Sequence, residues 1–260
     1  MYAIGYAMAR RNNDKLTLDA TLIATDMRDY GLGSLNFKYN KLYVINKKCP
    51  YLIKVALRKL LHSYLYLKYK VIKEKRGAIY DEEVFNQKGN IMLDGYWVTY
   101  KYCEAYKAEL QKMFTPTYET SASFKKLLAE MQQTNSVSLH VRRGDYVALG
   151  ICLDVDYYKR AVDYMLQRVD NPTFYVFSND MEFCKDFLKD INAKIVYVDY
   201  EMVDPAVDDL LLMQSCRHNI IANSTFSWWG AYANANPGQI VVCPKEECKN
   251  DKYPTDWIQL

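Results

Sequence analysis

Ser136-Val137-Ser138-Leu139-His140-Val141, continued at once by Arg142-Arg143-Gly144-Asp145-Tyr146, is the stretch on which the fold turns. Its first half has the apolar run of a strand buried in a sheet, and its second half leaves that strand through two arginines. Outward from it, strand and helix patterns alternate. A helix over Phe124 to Gln132 precedes it. After it come a helix over Tyr157 to Arg168, a strand over Thr173 to Ser178, a helix over Glu182 to Lys189 and a strand over Lys194 to Val198. The series closes with a helix over Asp208 to Ser215, a strand over Asn219 to Asn223, a helix over Trp228 to Ala235 and a strand over Gln239 to Cys243. Alternation at this tempo predicts an α/β fold with a parallel, doubly wound sheet.

Ligands of such sheets bind beyond the carboxyl ends of the strands. The loops to inspect therefore follow Val141, Ser178, Val198 and Ala222. They carry Arg142, Arg143 and Asp145; Asn179 and Asp180; Asp199; and Asn223, Ser224, Thr225 and Ser227. Two adjacent guanidiniums beside a buried strand are costly unless an anion meets them, because arginine is always charged. A diphosphate is one such anion, and an ion pair with Asp145 is the competing reading. The run Asn223-Ser224-Thr225-Phe226-Ser227 stands ahead of Trp228-Trp229-Gly230 and supplies hydroxyls at a helix start. That arrangement suits an anion site and ordinary N-capping equally, while the two tryptophans suit a core.

The first half of the chain is less regular. Met1 to Arg11 has apolar residues at helical spacing and a basic end, Leu16 to Asp19 is a short strand, and Asn90 to Tyr100 is an aromatic-rich strand followed by a helix near Tyr102 to Met113. The segment from Lys47 to Arg76 has a helical pattern with ten basic residues against Glu74 alone. That local +9 leaves about −6 for the rest of a chain whose formal net charge is +3. Thr115-Pro116-Thr117 breaks the pattern, so the expected domains are 1–120 and 121–260.

Composition bounds the rest. With 260 residues, half of them hydrophobic, the chain can build one large core or two ordinary ones. No apolar run reaches the roughly eighteen residues of a membrane span, and the N-terminus lacks the order of a secretory signal, which predicts a cytoplasmic protein. Seven cysteines, an odd number without a paired rhythm, predict reduced thiols and argue against both a disulfide framework and a zinc site at Cys243 and Cys248. For the same reason the Asn223-Ser224-Thr225 sequon is expected to stay unmodified. Phosphate-loop, GxGxxG, HExxH and GxSxG signatures are absent, which removes the residues that common kinase, dehydrogenase, zinc-protease and hydrolase readings need.

His140 to Tyr146, Phe174 to Asp180 (FYVFSND), Asp208 to Gly230 (DDLLLMQSCRHNIIANSTFSWWG) and the ending Tyr253 to Ile258 (YPTDWI) together resemble glycosyltransferase family 11, the α-1,2-fucosyltransferases. The resemblance implies a GT-B-like architecture of two Rossmann-like domains with parallel sheets, the N-terminal acceptor-side one incomplete here. It implies inverting, metal-independent transfer of L-fucose from GDP-β-L-fucose to the 2-hydroxyl of a galactose, with no cofactor and no nucleic acid. Carried over by position, Arg142 and Arg143 clamp the diphosphate and His140 supports their loop. Asn179, Asp180, Asn223, Ser224, Thr225 and Ser227 complete the donor site, and Asp209 contacts guanine. Asp145 is general base or buttress, and Arg142 and His140 join it at the reaction centre. The implied acceptor is a galactose-terminated oligosaccharide or lipid-linked glycan. The family usually opens with a strand and glycine-rich loop ahead of a helix like Met1 to Ala7, so reduced or no activity is expected of a chain lacking them.

Two other readings stay open. Asp154 and Asp156 resemble the DxD pair of metal-dependent glycosyltransferases, although Asp154 is also a good N-cap. The basic, tyrosine-bearing stretch would suit an adaptor for an anionic membrane or nucleic acid without catalysis. Combined with the enzyme reading, it predicts peripheral contact with the inner face of the membrane.

Overall fold

The computed structural model describes residues 1–25, 31–46, 48–75, 78–246 and 250–260. Lys47 and Arg76, which end the basic stretch, and Cys248 lie outside the described residues. The chain divides into two compact units, Met1–Met113 with Cys248–Tyr253 and Phe114–Glu247 with Pro254–Leu260.

The first unit opens with helix α1 (Tyr2–Asn12), whose Ala3, Ile4, Ala7 and Met8 are buried and whose end is capped by Asn13 in the left-handed region. Strand β1 (Thr17–Asp19) pairs in parallel with β2 (Lys41–Tyr43). Helix α2 (Tyr51–Lys68) leads into β3 (Lys70–Lys73), which pairs in parallel with β4 (Ile91–Asp94). Helix α3 (Lys107–Met113) closes the unit. Ile4, Ala7 and Met8 share one apolar cluster with Val84, Phe85, Trp97 and Tyr102.

In this unit three elements depart by several residues from those read in the sequence. The helix expected over Lys47 to Arg76 ends at Lys68, and Lys70–Lys73 is strand. The β-branched Val71 and Ile72 lie opposite Met92 and Leu93, and Tyr66 of α2 donates its hydroxyl to Asp94 at the end of β4. Tertiary pairing here overrides a helical pattern. The strand expected to reach Tyr100 stops at Asp94, where the backbone turns through positive φ at Gly95 (151°) and Trp97 (53°); glycine is required at 95, since a Cβ there would lie 2.4 Å from the Glu74 Cβ. The helix expected from Tyr102 begins as 3-10 turns and becomes α-helical at Lys107.

The second unit holds α4 (Ala122–Gln132), β5 (Asn135–Val141), α5 (Asp145–Leu149), α6 (Val155–Leu166), β6 (Pro172–Ser178) and α7 (Met181–Leu188). It continues with β7 (Lys194–Tyr197), α8 (Pro205–Ser215), β8 (His218–Ile220), α9 (Thr225–Tyr232), β9 (Val241–Cys243) and β10 (Ile258–Gln259). The six strands form one parallel sheet in the order β10-β9-β8-β5-β6-β7. The α/β class with parallel pairing is as the sequence predicted. Chain order reverses between β5 and β8, the switch point at which such sheets place ligands.

Local chemistry starts the helices. Ser121, Asp154, Asp180, Asp204 and Ser224 each accept a backbone N–H in the first turn of α4, α6, α7, α8 and α9, each cap contributing about 1 kcal/mol. Helix α6 buries Tyr157, Tyr158, Ala161, Val162 and Met165, a single face at helical spacing, against Val137, Leu139 and Val141 of β5 and Phe174 and Val176 of β6. Under the sheet, Asn219 of β8 is buried and fully engaged. Its Nδ2 donates to the Ser138 Oγ and the Met213 carbonyl, and its Oδ1 accepts from the Nδ2 of Asn234 and the Nε2 of Gln239. None of the six described cysteines is in a disulfide.

Candidate functional site

Strand β5 ends at Val141 and delivers Arg142 and Arg143 to the carboxyl edge of the sheet, next to the loop that follows β6. The two arginines are held differently. Arg143 donates from Nε to the Asp180 Oδ2 (2.9 Å), its guanidinium carbon lies 3.8 Å from the Phe183 ring centroid, and its backbone N–H donates to the Asn179 Oδ1 (3.1 Å). Arg142 donates from Nη2 to the Asp145 Oδ1 (2.6 Å), while its Nε is buried with no hydrogen-bond partner among the described residues. A desolvated guanidinium N–H without an acceptor is costly, so the Arg142 Nε is a donor open to an anion.

Gly144 makes the turn possible. Its φ is +40°, and a Cβ would stand 2.1 Å from the Asn179 Nδ2. Gly144→Ala is expected to cost about 1 to 3 kcal/mol from backbone strain and the displaced Asn179. The Arg143 backbone should lose its anchor as well, because Asn179 accepts its N–H. Urea unfolding of the variant checks the cost, and a variant as stable as the wild type would contradict this geometry.

His140 is buried within β5, its ring 5.5 Å from that of Phe226 at the start of α9. Burial first, and the Arg142 charge second, push its pKa down to about 3. The imidazole is therefore neutral at physiological pH, and its Nδ1 is buried without a partner among the described residues. Beyond β8, Asn223 donates from Nδ2 to the Ile151 carbonyl (2.8 Å), and its Oδ1 is likewise buried and unpartnered. Ser224 is the N-cap of α9. Ser227 accepts from the Ala222 N–H and donates to the Ser224 carbonyl, so both serines shape the helix start. Thr225 is exposed. Trp228 is core, stacked on Tyr232 with centroids 4.6 Å apart and 5.8 Å from Trp257.

A second cluster sits at the first turn of α8. Asp208 is fully buried, accepting from the Tyr118 hydroxyl and the Val203 N–H. Neighbouring Asp209 has a buried Oδ1 with no partner, and burial, reinforced by the Asp208 charge, pushes its pKa up to about 7. The buried Tyr200 hydroxyl also lacks a partner and is raised above its ordinary range, chiefly by burial and then by Asp209. Tyr118 and Tyr200 were not legible as site residues. The signal that could have pointed to them was the adjacent acid pair, which needs donors if it is to be buried.

Of the residues singled out in the sequence, Arg142 pairs with Asp145, and its chain neighbour Arg143 pairs with Asp180 and bonds Asn179. Asn223, Ser224, Thr225 and Ser227 lie after the adjacent strand β8, and Asp209 belongs to the α8 cluster. Asp154 caps α6 with its Oδ1 on the Tyr157 N–H (2.7 Å), and Asp156 is exposed in the following turn. Among the described residues no group of three or more His, Cys, Asp or Glu side chains could hold a metal ion.

Comparison with known proteins places this site in context. The family model described as glycosyl transferase family 11 matches residues 35–260. An α-1,2-colitosyltransferase of Escherichia coli is 31% identical over all of this chain and 93% of its own length. The O-antigen biosynthesis glycosyltransferase WbnK of Escherichia coli is 36% identical over 53% of this chain and 48% of its own. Galactoside α-(1,2)-fucosyltransferase 2 of Pongo pygmaeus is 28% identical over 55% of this chain and 45% of its own. The chain thus aligns with about half the length of the last two.

Proposed function

The chain belongs to glycosyl transferase family 11, and on that premise we propose that it transfers L-fucose from GDP-β-L-fucose to the 2-hydroxyl of a galactose, with inversion and without a metal. The observation that carries the reading is Arg142, whose buried Nε lacks an acceptor at the switch point of a parallel sheet. In this reading Arg142 holds the diphosphate and stabilises it as it leaves, in place of a cation. Arg143, fixed by Asp180 and Phe183, adds positive field from a rigid position. Asp145 aims Arg142 and is also the carboxylate nearest the reaction centre. Asn223 and Thr225 extend the donor site, and neutral His140 supports the loop from below. The Asp154 cap on α6 favours the metal-free route over a DxD site.

Asp209 gives the reading a pH signature. Its carboxylate form accepts two N–H donors of a guanine edge, whereas the neutral acid accepts one and sets an O–H against the other, and its pKa is pushed up to about 7. Affinity for GDP should therefore rise with pH through neutrality, being about tenfold weaker at pH 6 than at pH 8. Asp209→Asn should flatten that dependence. The deciding experiment titrates GDP, GDP-fucose, ADP and UDP at both pH values and then measures transfer to galactosides in EDTA, with activated colitose as the competing donor. Guanine-selective, pH-dependent binding and fucosyl transfer in EDTA support the proposal. Transfer of colitose alone, or turnover only with added metal, overturns the donor or the metal-free route while leaving family membership intact.

A further inference from the structure

Helix α2 presents to solvent the face that an amphipathic helix ordinarily buries. Only Leu65 is fully buried, whereas Ile53, Leu57, Leu60, Tyr64 and Leu67 are exposed, Leu60 at 68% and Leu67 at 90%. Their spacing of four and three residues puts all five on one stripe, and Leu52, 79% exposed, widens it at the start. The stripe runs the length of an eighteen-residue helix, about 27 Å. A contiguous apolar surface of that extent on a soluble unit marks a surface that something covers.

Charge decides what covers it. Helix α2 carries Lys54, Arg58, Lys59 and Lys68 and no acid, and among the flanking described residues Lys48, Lys70 and Lys73 add more positive charge before the first carboxylate at Glu74. By helical spacing Lys59 and Lys68 stand on opposite flanks of the stripe. The Lys68 Nζ lies 5.5 Å and 5.4 Å from the ring centroids of Tyr64 and Tyr69. Two copies joined through α2 would set basic flank against basic flank with no acid to pair them, which disfavours self-association. An anionic bilayer offers the opposite charge together with an apolar layer for the stripe. Exposed Tyr51 and Tyr64, half apolar and half polar, suit the headgroup boundary between the two. Among the described residues no helix is long and apolar enough to cross a membrane, and an apolar stripe between basic flanks is the pattern of a helix that lies on a surface.

We propose that the outward face of α2 seats this protein on an anionic lipid surface, with the Leu, Ile and Tyr stripe in the headgroup boundary and the flanking lysines on lipid phosphates. The proposal is independent of which sugar the enzyme transfers.

Co-sedimentation of the full chain with phosphatidylcholine vesicles, with and without phosphatidylglycerol, tests it. Binding should require phosphatidylglycerol and weaken with salt. The double variant K59Q/K68Q should lower partitioning about 25-fold, at about fivefold per charge near an anionic surface. L60Q/L67Q should lower it by at least about tenfold. Both pairs are solvent-exposed, so each variant should keep wild-type GDP affinity and melting, which separates lost docking from lost folding. Failure to bind anionic vesicles at low salt, or binding indifferent to both variants, overturns the proposal. So does a concentration-dependent dimer in solution that L60Q/L67Q dissociates, since that would make a second copy the occupant.

Discussion

Replacing Arg142 by alanine is expected to weaken GDP and GDP-fucose binding about 10²-fold to 10⁴-fold, with transfer falling at least in parallel. The magnitude follows from two charge-assisted hydrogen bonds to phosphate at about 1.5 to 3 kcal/mol each. The fold should survive, because the side chain is partly exposed and its bond in this structure is the one to Asp145. Arg142→Lys should recover only part of the loss, since an ammonium keeps the charge but not the planar fork. Calorimetric titration of both variants, with melting curves as a check on folding, reads the result directly. Unchanged affinity in Arg142→Ala would remove the diphosphate from this position. Asp145→Asn separates the two roles left open for that carboxylate. A buttress loses nucleotide affinity and turnover together, whereas a general base loses turnover with affinity intact.

The second large effect concerns stability. Asn219→Ala should destabilise the second unit by about 3 to 5 kcal/mol, lowering its melting temperature by about 10 °C. The Asn219 amide makes four hydrogen bonds in a largely buried setting, so its removal takes one bond each from Ser138 of β5, Met213 of α8 and Asn234 and Gln239 beyond α9. The cost is the desolvation of those groups. Urea unfolding followed by a probe in the second unit gives the value. A loss under about 1 kcal/mol would mean that the network relaxes around the gap and would contradict this accounting.

How far the sequence could be read depended on whether neighbours along the chain or across the fold settle a residue's state. Between Asn135 and Cys243, strands covered on both sides show as apolar runs, and helices open on capping side chains such as Asp154, Asp180 and Ser224. Both signals are local, so that part of the fold was legible. Lys70–Lys73 was not, because its strand state is settled by pairing with Ile91–Asp94. Nor could periodicity say that the apolar stripe of α2 faces outward, since a helix pattern is the same whichever side the core lies on. The alternation of strand and helix, the paired arginines after a strand and the capping chemistry are thus properties of the chain itself, set by short-range sterics and by hydrogen bonds within one turn. Which arginine is locked to Asp180 and Phe183, which retains an unsatisfied buried donor, and that Asp209 is desolvated enough to titrate near neutrality were decided only by tertiary structure. The reason is that burial and partner choice depend on residues far away in sequence, such as Ser138 beside Asn219 and Tyr118 beside Asp208, which only folding brings within bonding distance.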